Sequence, residues 1–329
     1  MPEAKPPLLE VDQLTRYFPI RGFLNRKVGV TRALDGVSFS INPGETLGIV
    51  GESGCGKSTL GKTLAGIHQP TSGSVSFGGD KIASPGQKRA ASAYTQLQYA
   101  YQDPGASLDP RWTLGRSLHE PLVIHTDWPR EQRAAKIGEI VAAVGLPQTI
   151  LDLYPHEVSG GQLRRVGLAR ILVLGPQLVI FDEPTAGLDA SVKATVLSLL
   201  RNLRSSFNLT YMFISHDLAV MRSVCDRIAV MYLGHLVENG PADQVIAAPR
   251  HPYTRSLIAA LPRIGGPRVT EGFSLQGEAP DPSNIPSGCR FRTRCPLAIT
   301  ACAEIEPGLE DEAGHGVACL RWRETMGQG

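Results

Sequence analysis

The chain has 329 residues, 42% of them hydrophobic and 19% charged, with a formal net charge of +2 at pH 7. That length carries one large core and an appendage, and the balance excludes a disulfide-stapled miniprotein, a disordered chain and a nucleic-acid partner held by bulk basic charge. No basic-then-apolar leader opens the sequence and no window reaches about 18 uninterrupted apolar residues, so neither export nor a membrane span is expected, and in a reducing compartment the six cysteines are read as free thiols or metal ligands in preference to disulfides. In chain order, residues 8–14 and 37–41 read as short strands and 46–50 (TLGIV) as a compact apolar strand ending at glycine. A helix is expected over 56–67, with Leu60, Leu64 and Ile67 at spacings of four and three. Residues 74–77 and 97–102 are further strands, and 103–170 reads as a helical insertion. Strand 178–181 follows, and then a helix whose apolar face is Val192, Val196, Leu199, Leu200 and Leu203. Residues 211–214 and 227–232 are two more buried strands. Alternating strands and helices imply an α/β core. Beyond about 240 the periodicity fades, and the boundary is expected near 250, with a small module over 251–329.

The segment Gly51-Glu52-Ser53-Gly54-Cys55-Gly56-Lys57-Ser58 satisfies G-x-x-x-x-G-K-[ST], directly after a strand and before a helix. Glycines let the backbone turn tightly enough for successive N–H groups to face a phosphate, and the helix N-terminus adds partial positive charge. Lys57 then reaches the β- and γ-phosphates, and the Ser58 hydroxyl is a Mg²⁺ ligand. Cys55 is read as a small filler, not a nucleophile. In LVIFDEP (178–184) an apolar strand ends in Asp182 and Glu183, at the carboxyl edge where open α/β sheets bind ligands. Asp182 suits the Mg²⁺ shell and Glu183 the attacking water. Ser159, in VSGGQ, is a helix cap ahead of Gly160, Gly161 and Gln162.

With these elements in this order, the chain resembles the ATP-binding subunits of ABC transporters over about 8–262. The resemblance implies a P-loop ATPase core with a helical subdomain at about 103–170, binding ATP and Mg²⁺. Gly51, Ser53, Gly54, Cys55, Gly56, Lys57, Ser58 and Thr59 would hold the phosphates. Gln102 would be the γ-phosphate-sensing glutamine that also reaches Mg²⁺ alongside Ser58 and Asp182. Glu183 would be the catalytic glutamate and His216, in FISHD, the switch histidine, with Lys57 and Gln102 completing the catalytic set. Ser159 to Gln162 would be the signature that closes over ATP held by a second subunit, with Asp189 in the following D-loop. Phe18 would stack on adenine, and the adjacent Tyr17 stays open as an alternative.

His251-Pro252-Tyr253-Thr254 reads physically as a turn and a Pro-initiated amphipathic helix. With the cysteine-bearing tail that follows, it resembles the C-terminal region of dipeptide and oligopeptide importer ATPases, relatives of the nickel and glutathione importers. The resemblance implies uptake of peptides across the inner membrane, with this chain peripheral on the cytoplasmic face. The implied partners are a second, non-identical ATPase, two transmembrane permeases and an extracytoplasmic peptide-binding protein. Two other readings remain: a soluble ABC ATPase of repair or translation, and an iron–sulfur redox-sensing ATPase.

Cys289, Cys295, Cys302 and Cys319 follow C-x5-C-x6-C-x16-C, which lacks the close pairs of most zinc sites. Their soft thiolates leave an iron–sulfur cluster, zinc or bare thiols open. Some peptide-importer ATPases carry a [4Fe–4S] cluster on cysteines arranged this way, and the resemblance implies one here, with zinc as the alternative. Arg290, Arg292 and Arg294 would lower the electrostatic cost of an anionic cluster or else lie in solvent. His315 could replace a ligand but is read first as solvent-facing, and Cys225 as helix packing.

Overall fold

The computed structural model describes residues 6–101, 107–260 and 277–325. Two compact units divide the chain: residues up to Lys88 together with those from Phe213 onward, and Arg89–Met212.

The first unit opens with an antiparallel hairpin, β1 (Leu9–Arg21) and β2 (Lys27–Ile41), in which Leu9 lies opposite Ile41 and Ile20 opposite Gly29. Both strands outrun the expected 8–14 and 37–41. Apolar alternation marks only the base, where Leu9, Val11, Leu14, Leu34, Val37 and Ile41 are buried. Toward the tip Phe23 is 90% exposed, and pairing there runs through backbone hydrogen bonds, which leave no periodic trace in side chains. β3 (Thr46–Val50) is buried at all five residues, as an unbroken apolar run requires of a strand covered on both faces. It leads through residues 51–56 into α1 (Lys57–Leu64). The helix stops short of Ile67 because Gly66 takes φ +79°, the left-handed ending of many helices. β4 (Ser72–Phe77) and β5 (Asp80–Ala83) complete a four-stranded sheet of order β2-β1-β4-β5.

The second unit holds α2 (Ala91–Gln96), β6 (Leu97–Ala100), α3 (Leu114–His125), α4 (Arg130–Ala143), α5 (Gly160–Leu172), β7 (Leu178–Asp182) and α6 (Ala190–Phe207). β6 and β7 pair in parallel, Leu97 opposite Leu178. Leu114, Leu118 and Leu122 of α3, Ile140 and Val141 of α4 and Val166 and Ala169 of α5 are buried, and they make the helical part cohere. The apolar face of α6 is rotated from the expected one. Leu197, Leu200 and Leu203 are its buried residues, whereas Val192 is 42% exposed. Val192, Val196 and Leu199 border a cavity of about 460 Å³ between α5 and α6, so apolar spacing alone overstates what this helix buries.

β8 (Thr210–Ser215) and α7 (Leu218–Val224) follow, and Cys225 at the end of α7 is buried with Sγ 3.5 Å from Met221 Sδ. Next come β9 (Arg227–Tyr232), β10 (His235–Pro241), α8 (Ala242–Ala247), α9 (Pro252–Ala259), α10 (Ala301–Glu304), β11 (Glu310–Glu312), β12 (His315–Val317) and α11 (Trp322–Thr325). β9 runs parallel to β3, and the order outward is β9, β10, β12, β11. The tail therefore extends the sheet of β3, β9 and β10, not the four-stranded one, with a hairpin. At that seam Glu238, 0% exposed, accepts the backbone N–H groups of Arg250 (2.7 Å) and His251 (2.9 Å). His315 Nε2 lies 2.7 Å from the same carboxylate. The solvent-facing reading of His315 is thus corrected: pairing of β12 with β10 buries it to 2% exposure. His251 caps α9 through Nδ1, which accepts the Tyr253 N–H at 3.0 Å. Burial holds its pKa down to about 4, keeping the ring neutral as that acceptor role requires.

Candidate nucleotide-binding and hydrolysis site

In the first unit the phosphate-loop motif lies between β3 and α1. A Cβ at Gly51 (φ +155°) would sit 2.2 Å from the Met231 carbonyl oxygen, and one at Gly56 (φ +110°) 2.2 Å from that of Ala33. Two strands press on the loop from outside, and only glycine fits under them. Ser53 and Gly54 are exposed, Ser58 and Thr59 half-buried at the start of α1. Lys57 is 7% exposed, and its ammonium donates to the carbonyls of Gly51 (2.7 Å) and Glu52 (2.8 Å). Burial pushes the Cys55 thiol up despite neighbouring Lys57, in keeping with a filler.

Both candidate adenine-stacking aromatics lie in the same unit. Phe18 carries the Arg16 guanidinium over its ring at 4.5 Å and meets His68 edge-on at 5.4 Å. The Tyr17 hydroxyl donates to Asp35 Oδ1. Burial, followed by that bond, pushes the phenol up. His216 is exposed directly after β8.

In the second unit Asp182 ends β7, half-buried, and accepts a hydrogen bond from the Tyr99 hydroxyl. Glu183 has φ +52°, a left-handed backbone that costs a non-glycine residue about 1–3 kcal/mol and concentrates at functional sites. No sequence pattern announces that strain. Ser159 caps α5: its Oγ accepts the Gln162 N–H at 3.3 Å, and its own N–H donates to Gln162 Oε1 at 2.9 Å. Among the described residues, a Cβ at Gly160 or Gly161 would meet nothing within 4 Å. Each glycine nevertheless costs the helix about 1 kcal/mol relative to alanine, and among the described residues nothing within 4 Å of either position explains it. Asp189 precedes α6 as its exposed cap. Gln102 lies outside the described residues.

The four tail cysteines line one cavity, with Phe291, Arg292 and His251. Burial pushes the Cys289 and Cys295 thiols up to about 11, and Cys319 is also raised. Among the described residues, no group of three or more His, Cys, Asp or Glu has the arrangement of a metal site. Two of the three arginines interleaved with the first two thiols are buried, Arg290 at 7% and Arg294 at 9% exposure, whereas Arg292 is half-buried. The two buried ones point to carboxylates of Asp35 and Glu52, at 2.7 Å and 2.6 Å. These pairs span 255 and 242 positions, so nothing in the local pattern could reveal them.

A family model described as "ABC transporter" matches residues 34–186, and one described as "Oligopeptide/dipeptide transporter, C-terminal region" matches 237–302. The chain is 46% identical over 317 residues to the oligopeptide transport ATP-binding protein AppF of Bacillus subtilis, covering 95% of this chain and 96% of the relative. It is 43% identical to the dipeptide transport ATP-binding protein DppF of Escherichia coli, covering 95% and 94%. Among solved structures, cbiO1 from Clostridium perfringens, part of the ABC transporter complex cbiONQ, aligns with a TM-score of 0.63 at 26% identity, over 73% of this chain and 91% of that one. The ATP-binding cassette MJ0796, at 24% identity and a TM-score of 0.61, shares the fold over 71% of this chain and 98% of its own. The chain belongs to the ABC transporter ATP-binding proteins of the oligopeptide and dipeptide transport family.

Proposed function

We propose that the protein is the ATP-hydrolysing subunit of an ABC importer that takes up dipeptides or oligopeptides across the cytoplasmic membrane, seated peripherally on its cytoplasmic face. The observation that carries this reading is the likeness over 95% of the chain to peptide-transport ATP-binding proteins. Among the described residues no helix is long and apolar enough to cross a membrane, so the crossing falls to two permease subunits, fed by an extracytoplasmic binding protein. Residues 1–250 supply the ATPase and 251–329 the part peculiar to peptide importers.

The roles follow from the chemistry of each group. Loop N–H groups and Lys57 hold the phosphates, Phe18 or Tyr17 the base, and His216 and Gln102 the γ-phosphate. Glu183 orients and polarises the attacking water. The hydroxyl of Ser58, the carboxylate of Asp182 and the amide oxygen of Gln102 are hard oxygen donors suited to Mg²⁺. When bound, that ion neutralises charge on the β- and γ-phosphates. Ser159, Gly160, Gly161 and Gln162, with Asp189, face the ATP of a second, non-identical ATPase. The open space at both glycines supports close approach by another chain.

Cys289, Cys295, Cys302 and Cys319 line one cavity without the arrangement of a metal site, and the support for a [4Fe–4S] cluster or zinc there is the soft-donor chemistry of four thiols brought to one place. Such a group staples the loops of the tail, and its arrival displaces thiol protons. Elemental analysis of protein purified without oxygen is expected to find about four irons per chain. One zinc keeps the staple without redox capacity, and no metal withdraws the cluster while leaving the ATPase intact.

The importer reading is tested by ATP turnover in reconstituted vesicles. Turnover is expected to be low for the chain alone. It rises when the permeases, the second ATPase and a peptide-loaded binding protein are added. Turnover indifferent to all of them would sink the importer in favour of a soluble ATPase.

A further inference from the structure

We propose that Arg290 and Arg294 are positioning residues of the nucleotide site, joining the cysteine-bearing turn to the phosphate loop and to Tyr17. The proposal rests on the ATPase reading. Arg294 makes a two-point pair with Glu52, its two terminal nitrogens 2.6 Å and 3.0 Å from the two carboxylate oxygens. Its side chain is 5% exposed and that of Glu52 26%, so solvent screens the pair only from the carboxylate side, and the planar fork fixes orientation as well as distance. Glu52 is the second residue of the phosphate loop, and its carbonyl is one of the two that accept from Lys57. Its N–H donates to the Tyr253 hydroxyl at 2.8 Å. The loop is therefore held at one residue from two directions, both C-terminal to residue 250.

Arg290 does the same on the other side. It donates to Asp35 Oδ2 at 2.7 Å and to the Leu233 carbonyl at 2.7 Å, and the other oxygen of Asp35 accepts from Tyr17. Burial raises the Asp35 pKa, but the bonds from Tyr17 and Arg290 outweigh it and leave the carboxyl below its usual value. Between the two arginines Phe291, 1% exposed, packs its ring against Tyr232 and Tyr253 at 5.3 Å and 5.4 Å. The turn is short and internally bonded, with Arg292 N–H on the Cys289 carbonyl and Arg294 N–H on that of Phe291. A shift in the thiol-bearing backbone thus moves both arginines, and with them Glu52 and Asp35. Docking alone is satisfied by Phe291 and the added hairpin; two buried arginines directed at two nucleotide-site elements are not explained by docking.

The test measures MgATP affinity and steady-state kinetics on the full chain, with melting temperature recorded alongside. Arg294→Gln is expected to weaken MgATP binding about tenfold, a usual size for coupling between sites, with most of the kinetic change in KM. Arg294→Lys, which keeps charge but loses the fork, recovers part of the affinity. Glu52→Gln weakens binding similarly, and the double variant is no weaker than either single one, because both remove the same interaction. Glu52→Gln also provides the measurement if Arg294→Gln does not fold. Unchanged MgATP affinity in the folded variants overturns the proposal, whether or not melting temperature falls. Failure of the wild-type chain to bind MgATP overturns the ATPase reading along with it; intact wild-type binding with unaffected variants overturns this proposal alone.

Discussion

Replacing Glu183 by glutamine is expected to lower the maximal rate of ATP hydrolysis by about two to four orders of magnitude, the usual worth of a positioned proton acceptor. ATP binding should change little. Glutamine keeps the volume and one hydrogen-bonding oxygen but loses the negative charge that polarises water. It also inherits the φ of +52° at this position, so the local backbone strain is the same in both proteins. A loss of rate therefore reports chemistry and not unfolding. The check pairs phosphate release under saturating ATP with affinity for a fluorescent ATP analogue. A rate near wild type places the catalytic base elsewhere and would falsify the role given to Glu183.

Replacing Glu238 by alanine is expected to destabilise the protein by about 3–5 kcal/mol, the range for removing one member of a buried, hydrogen-bonded charged set. The carboxylate is fully buried and serves three donors: the N–H groups of Arg250 and His251, and His315 Nε2. Alanine leaves all of them without that acceptor in a site water does not reach, and each such group costs about 1–3 kcal/mol. Thermal or urea unfolding at neutral pH reads the loss, and a change below about 1 kcal/mol, the size of a surface pair, would show that the seam contributes little. Acid weakens the same seam. The folded pKa of His251 is depressed to about 4 against an unfolded value of about 6.5, so the unfolded chain binds the extra proton between these values. The contribution from keeping this ring neutral is present above pH 6.5 and lost as pH falls toward 4.

Where a residue's role depends on its immediate neighbours, it could be read from the chain. The phosphate loop is such a case, because tight turning and a following helix are written in eight consecutive positions. So are the capping of α5 by Ser159 and the unbroken apolar runs of β3, β7 and β9. Strand lengths in the first hairpin could not be read, since its outer half pairs through backbone while its side chains meet water on both faces. The buried face of α6 escapes spacing for a related reason, since spacing reports which residues are apolar, not which surface is covered, whereas α1 ends early at the left-handed Gly66.

The tail shows the division most clearly. Its four cysteines and interleaved arginines were visible at once, and the thiols do line one cavity. Their surroundings were not visible. From the sequence Arg290 and Arg294 are expected in solvent or as countercharges to a cluster, yet they are buried against Asp35 and Glu52, more than 240 residues away in sequence. From the sequence a lone His315 is expected to face water, yet it lies against Glu238 because β12 pairs with β10. Composition and local spacing determined that this chain carries a phosphate loop, an acidic strand end and a thiol-rich tail, because those depend on backbone conformation and residue chemistry over a few positions. Which charges meet, and that the tail grips the phosphate loop, was decided only in the folded chain, since burial turns a distant arginine and carboxylate into an obligatory pair and nothing local encodes the distance between them.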